Sequence, residues 1–127
     1  MLARTLAYLF PGIDFTRDVV IQADQGLVEW RRPEPQPTPA EIAAAELPAT
    51  KAASIAANRA ECSRRIFERY PTGRQLSALA GLYDSANVAT MVDWIAANIA
   101  AENTAADAIE AATTVQQVEA VTVAWPA

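Results

Sequence analysis

The sequence contains no histidine, and Cys62 is its one cysteine. The absence of histidine removes the commonest general base and the commonest metal ligand. A single cysteine excludes an internal disulfide and a cysteine-based zinc site, and we interpret Cys62 as a buried structural thiol. The four glycines are well separated and form neither a Walker loop nor a dinucleotide-binding fingerprint. We therefore predict no catalytic residue, no metal site, no cofactor and no enzymatic activity.

Long hydrophobic runs are also missing. No apolar stretch reaches the roughly 20 residues that a membrane-spanning helix needs. The first ten residues lack the hydrophobic region and the cleavage site of a secretion signal. We therefore expect no membrane as a partner.

Positive charge is absent from the second part of the chain. The first 74 residues carry ten basic and nine acidic side chains, a net charge of +1, whereas residues 75–127 carry six acidic and no basic ones, a net charge of −6. Five arginines cluster between Arg59 and Arg74, diluted by Glu61 and Glu68. A basic cluster can bind phosphate backbones, but its local net charge is small. We interpret it as a solvated helix face that balances the acidic half, and nucleic acid is not expected as a partner.

Alanine is the dominant residue, with 29 copies or 23% of the chain. Its side chain removes little area from water at roughly 25 cal/mol per Å², so the core of one domain of this length is thin. A thin core in a short chain favours stabilisation by a partner, and a homo-oligomer is one alternative.

The pattern predicts an α+β fold. A short helix over residues 2–10 ends at Pro11-Gly12. Two β-prone runs, 18–24 and 27–31, flank a turn at Gln25-Gly26 and predict a β-hairpin. Residues 32–39 hold four of the eight prolines at alternating positions. This composition is typical of an extended spacer, with a docking site for a proline-binding domain as the alternative.

The sequence pattern predicts helices for the rest of the chain. Thr38 and Glu41 match a capping box at the start of the first helix, and Pro48 is expected to interrupt that helix or to start the next one. Further helices are predicted over 49–70, 72–83 and from 88 to 101 or 109. A second capping box at Thr114 predicts a last helical turn. We predict two domains: an α+β head with a hairpin at 1–36, and an alanine-rich helical hairpin or bundle at 37–127.

Six aromatic side chains are the candidate partner-binding residues. Aromatic residues are enriched in binding hot spots, although the same side chains can build the core instead. The candidates are Tyr8, Phe10, Phe15, Trp30, Trp94 and Trp125.

Several strings resemble small bacteriophage tail proteins encoded beside tail-fibre genes and described as tail-fibre assembly chaperones. They are YLFPGIDF at 8–15, a hairpin that ends in Trp30, PQPTPAEI at 35–42, MVDWI at 91–95 and VEAVTVAWP at 118–126. The resemblance implies a non-enzymatic protein that binds a tail or tail-fibre subunit in the host cytoplasm during phage assembly. The alternative is a structural component of the tail, baseplate or fibre attachment that stays in the virion. The family has no catalytic residues, so the resemblance implies none in this chain.

Overall fold

Five helices and one two-stranded sheet follow one another along the chain in a computed structural model that describes all 127 residues. The elements are α1 (Leu2–Leu9), β1 (Val19–Gln22), β2 (Gly26–Trp30), α2 (Pro39–Arg69), α3 (Thr72–Leu79), α4 (Ser85–Ala111) and α5 (Val115–Glu119). The predicted α+β class, with an N-terminal hairpin, a connector and a helical remainder, is confirmed. None of the helices has both the length and the apolar character that crossing a membrane requires.

The chain divides into two compact units, Met1–Ala53 and Ser54–Ala127. Helix α2 contributes residues to both units. The domain boundary proposed from the sequence, between residues 36 and 37, stays a prediction.

The hairpin of the first unit has antiparallel strands, with Val19 opposite Trp30 and Gln22 opposite Gly26. The register shifts between Val20 and Ile21, as in a β-bulge. Gly26 has a φ of +71°, a conformation that glycine adopts without a steric penalty. A β-carbon at this position would lie 3.8 Å from Leu2 Cδ2, so α1 passes close to the turn.

The core of the first unit is small and partly polar. Its buried residues are Thr5, Leu6, Asp18, Val19, Pro37, Ala45, Ala49 and Thr50. Both threonine hydroxyls donate to carbonyl oxygens four residues earlier, Thr5 to Met1 at 3.0 Å and Thr50 to Glu46 at 2.8 Å. These bonds satisfy the hydroxyls, so their burial carries no unpaired polar group.

Helix α2 begins with the predicted capping box. The backbone N–H of Glu41 donates to Thr38 Oγ1 at 3.2 Å, and the N–H of Thr38 donates to Glu41 Oε2 at 2.7 Å. The prediction that Pro48 interrupts the helix or starts a new one is wrong, because α2 runs through it without a break. Proline removes one backbone hydrogen bond, and the 31-residue helix retains its remaining turns.

The second unit packs around one face of α4. The buried residues of α4 are Met91, Asn98, Ala105 and Ile109, and other buried residues of the unit include Cys62, Ala78, Ala112 and Val118. The spacing of seven residues from Met91 to Asn98 and again to Ala105 places them on one side of the helix.

The termini of the later helices differ in part from the sequence prediction. Asp84, which lies between the predicted helices 72–83 and 88–101, caps α4 by accepting a hydrogen bond from the N–H of Asn87 at 2.8 Å. Thr72, a residue type that is common at helix caps, lies inside α3 after Pro71 and forms no cap bond. At α5, the predicted cap is confirmed, since the N–H of Gln117 donates to Thr114 Oγ1 at 3.1 Å.

Candidate partner-binding surface

The six candidate aromatic residues fall into both units, and their exposure differs. In the first unit Tyr8 is 47% exposed and Phe15 is 39% exposed. The other four are half-buried: Phe10, Trp30, Trp94 and Trp125. Tyr8 and Phe15 therefore offer the most surface of the six, and the others are held by contacts within their own unit.

Phe10 and Trp30 form an edge-to-face pair. Their ring centroids lie 4.9 Å apart at an angle of 61°. The indole N–H of Trp30 donates to the carbonyl oxygen of Glu34 at 2.7 Å, and the Arg32 guanidinium lies 5.6 Å from the Phe10 ring centroid. Because the indole N–H has its partner inside the chain, Trp30 fixes the start of the proline-rich connector against the hairpin.

Asp18, which the sequence analysis did not single out, organises the charges of the first unit. Its carboxylate accepts hydrogen bonds from Arg17 Nε at 2.8 Å, from the backbone N–H of Asp14 at 2.9 Å and from Arg32 Nη1 at 3.1 Å. The bond from Arg17 and the backbone bond from Asp14 lower the pKa of Asp18 to about 2. Arg17 is adjacent to Asp18 in the sequence. Arg32 is 14 residues away from Asp18 and reaches its carboxylate only in the folded chain.

Both strands of the hairpin are edge strands, because the sheet has two strands. Each therefore presents a row of outward-facing N–H and C=O groups that can pair with an extended segment of another chain. The connector adds an open cavity of about 400 Å³, lined by Leu9, Phe10, Pro35, Pro37 and Thr38 among others. Apolar and proline side chains dominate this cavity, which suits a hydrophobic side chain of a partner.

In the second unit, two arginines of α2 hold the last residues of the chain. The Arg65 guanidinium lies 5.2 Å from the Trp125 ring centroid, and its Nη2 donates to the carbonyl oxygen of Pro126 at 3.4 Å. The Arg69 guanidinium lies 4.6 Å from the Trp94 ring centroid. The indole N–H of Trp94 donates to an oxygen of Ala127 at 2.9 Å. Trp94 and Trp125 are thus built into this unit by stacking on arginines.

The arginine cluster is used for internal contacts. Arg64 pairs with Glu61 and Glu68 on its own helix, and Arg59 lies 3.4 Å from Glu102 of α4. The pair between Arg59 and Glu102 agrees with the expected balance between the cluster and the acidic half. Arg65 and Arg69 bind aromatic rings and carbonyl oxygens instead, which the charge pattern did not indicate.

Some apolar side chains expected in helix interfaces are exposed. Along α4 the apolar residues Val88, Met91, Val92, Ile95 and Ile99 recur at helical spacing, a pattern that predicts one buried stripe. Met91 is buried as predicted, whereas Val92 is 51% exposed and Ile99 is 43% exposed. The buried face of α4 is rotated toward Asn98 and Ala105, two residues that the hydrophobic pattern does not include.

The described side chains offer little reactive chemistry. No group of three histidine, cysteine, aspartate or glutamate side chains is placed to hold a metal ion. Cys62 is buried, and this burial, with the nearby Glu102 carboxylate, raises the pKa of its thiol. A raised pKa disfavours the reactive thiolate. The surface of the first unit presents strand edges and the exposed aromatic rings of Tyr8 and Phe15.

A comparison with protein families gives a match to the N-terminal part of the chain. The model of a family described as XkdW protein matches residues 2–54, which include α1, the hairpin, the connector and the first part of α2. This family is phage-associated, and the match supports a bacteriophage protein. A search of curated proteins and a search of solved structures each found no match.

Proposed function

We propose that this chain is a non-enzymatic phage tail protein that binds a tail or tail-fibre subunit and acts as a tail-fibre assembly chaperone. The observation that carries the proposal is the two-stranded sheet of the first unit, in which both strands are edges, within the residues that match the phage-associated family. Tail fibres are rich in extended segments, and an edge strand binds such a segment through backbone hydrogen bonds. Exposed Tyr8 and Phe15 in the same unit supply apolar contacts.

A chaperone of this kind works by covering an exposed surface of the subunit that it binds. It holds a β-rich or trimerising segment of the subunit until assembly and then releases it, in the host cytoplasm. Backbone pairing along an edge supplies affinity with little sequence selectivity, and the aromatic side chains add selectivity. No step in this cycle needs a catalytic group, a metal or a cofactor.

Co-expression with the tail and tail-fibre subunits of the same phage tests the binding. The full chain should copurify with one of these subunits. The double substitution Y8A/F15A should reduce capture at least about tenfold, because it removes two exposed aromatic contacts. Phe67→Ala is the matched control, since Phe67 is 53% exposed but lies in the second unit. Equal capture by all three proteins, or by none, contradicts the proposal.

The alternative role is a permanent component of the tail, baseplate or fibre attachment. Mass spectrometry of purified particles separates the two roles. A chaperone binds the subunit in lysates and is absent from mature particles. Stoichiometric presence in the particles favours the structural role.

A further inference from the structure

Residues 121–127, here called the C-terminal segment, lie on the second unit without a strand partner. They follow α5 and belong to no helix or strand. Their burial alternates, since Val121, Val123 and Trp125 are half-buried and the two residues between them are exposed. A period of two is typical of an extended chain that rests one face on a support.

The C-terminal segment is held by few contacts. None of its residues is buried, and the last buried residue before it is Val118 at 2% exposure. No hydrogen bond joins the backbone of residues 122–127 to the backbone of another part of the chain. An open cavity of about 290 Å³ remains between the segment and α4, lined by small side chains such as Ala101 and Ala105. Segments with so few buried contacts detach at a low cost in free energy.

The surface under the end of this segment is built by other residues. Trp94 of α4 packs edge-to-face on Tyr70, with 5.7 Å between the ring centroids, and the Arg69 guanidinium stacks on Trp94. Arg65 lies one turn before Arg69 on α2 and stacks on Trp125 of the segment. We call the surface of Arg65, Arg69 and Trp94 the arginine–tryptophan groove. Because α2 and α4 position it, the groove is preformed for a ligand.

The C-terminal segment fits this groove incompletely. Arg69 Nη1 and Arg65 Nη2 reach oxygens of the segment only at 3.3 and 3.4 Å, which is beyond the usual range for such bonds. Arg65 Nε is buried and has no hydrogen-bond partner. An open cavity of about 310 Å³ is lined by the groove and by neighbouring residues of α2, and no residue of the segment lines it. Buried donors are normally paired, so the groove has both space and a donor for a further acceptor.

The charges of the groove indicate an acidic ligand. Residues 59–74 carry five arginines and two glutamates. Both glutamates pair with Arg64, whereas Arg65 and Arg69 form no salt bridge with an acidic side chain. Nε and Nη2 of Arg65 lie on one edge of its guanidinium, and such an edge matches the two oxygens of a carboxylate.

We propose that the arginine–tryptophan groove is a peptide-binding site, which the C-terminal segment occupies in the free protein. Its ligand is an extended segment of a partner chain that carries a tryptophan followed by an acidic residue. The tryptophan of the ligand takes the place of Trp125 on Arg65, and its carboxylate accepts hydrogen bonds from Arg65 and Arg69. Binding displaces the C-terminal segment, which therefore acts as a competing ligand within the chain.

Fluorescence anisotropy with labelled, amidated heptapeptides tests the proposal on the full chain. The acidic probe is the sequence of residues 121–127 with Pro126→Asp, and the neutral probe is the same sequence with Pro126→Asn. The host is Trp125→Ala, in which the C-terminal segment loses its stacking contact with Arg65. This host should bind the acidic probe at least about tenfold more tightly than the neutral probe, because a carboxylate gives the arginines a charge-assisted partner.

The wild type tests the competition by the C-terminal segment. It should bind the acidic probe at least about tenfold more weakly than Trp125→Ala, because its own segment occupies the groove. Thr122→Ala changes an exposed residue of the same segment and should bind the probe like the wild type. The wild type should keep the preference for the acidic probe at higher protein concentration, so the proposal can also be tested if Trp125→Ala does not fold.

A second pair of variants locates the binding site. Arg69→Gln, added to Trp125→Ala, should weaken binding of the acidic probe at least about tenfold. Arg59→Gln, added to the same host, removes the same charge ten residues earlier on α2 and should leave the affinity unchanged. Circular dichroism of each host shows whether its helices are retained.

Three results would overturn the proposal. One is a folded Trp125→Ala host that does not prefer the acidic probe, and another is equal affinity of this host and the wild type. The third is a wild-type dimer in sedimentation velocity that Trp125→Ala abolishes, which would assign the groove to the C-terminal segment of a second copy. None of these measurements involves Tyr8 or Phe15 of the first unit, so this proposal and the proposed function fail separately.

Discussion

Asp18 stabilises the first unit through hydrogen bonds that only its ionised form can accept in full. The residue is 7% exposed and directly precedes β1, and three residues donate to its carboxylate. Donors around a carboxylate favour its charged form, which is why the pKa falls to about 2 from an ordinary 3.8. The stability of the hairpin is therefore linked to pH.

We predict that Asp18→Asn removes this linkage. A carboxylate with a lowered pKa stabilises the folded state fully above the unfolded pKa of 3.8, and the contribution is lost as the pH falls toward 2. The free energy of unfolding of the wild type should thus fall between pH 5 and pH 2, and that of the variant should fall less. Urea unfolding followed by tryptophan fluorescence measures both. The exposed Asp24→Asn is the control, and identical pH profiles of all three proteins would contradict the prediction.

The helix caps act at the scale of single elements, and two of them, at Thr38 and Thr114, were predicted from the sequence. Thr38 forms both bonds of the capping box with Glu41, whereas Thr72, at the start of α3, forms no cap bond. Thr38→Ala should lower the free energy of unfolding by about 1 kcal/mol. Thr72→Ala should change it by less than about 0.5 kcal/mol. Chemical denaturation of the two variants measures this difference, and equal effects would show that the capping box contributes nothing.

Pro48 conflicts with the helix that contains it. It lies ten residues into α2, where proline costs about 3 kcal/mol because it removes a backbone hydrogen bond and crowds the preceding turn. Pro48→Ala should therefore raise the free energy of unfolding by about 1–3 kcal/mol and increase the ellipticity signal at 222 nm. A loss of stability would mean that the proline ring makes packing contacts worth more than the missing hydrogen bond.

The same elements show what a sequence pattern can and cannot predict. The hairpin and the caps at Thr38 and Thr114 depend on neighbouring residues, so local chemistry predicted them. The continuation of α2 through Pro48 depends on a balance of energies. Proline removes one backbone hydrogen bond, and the other turns of the long helix keep theirs. The roles of Arg65 and Arg69, stacked on aromatic rings, depend on residues about 25 to 60 positions away. The exposure of Val92 and Ile99 could not be predicted, because hydrophobic periodicity identifies an apolar face without showing what covers it.

At the scale of the whole molecule, a core with few large apolar side chains explains why surfaces that bind a partner are important for the stability of this chain. Of the eleven buried apolar residues, five are alanine: Ala45, Ala49, Ala78, Ala105 and Ala112. Each alanine removes little area from water, while every ordered residue loses about 1–2 kcal/mol of conformational entropy. A chain built this way gains stability from any partner that binds only the folded state.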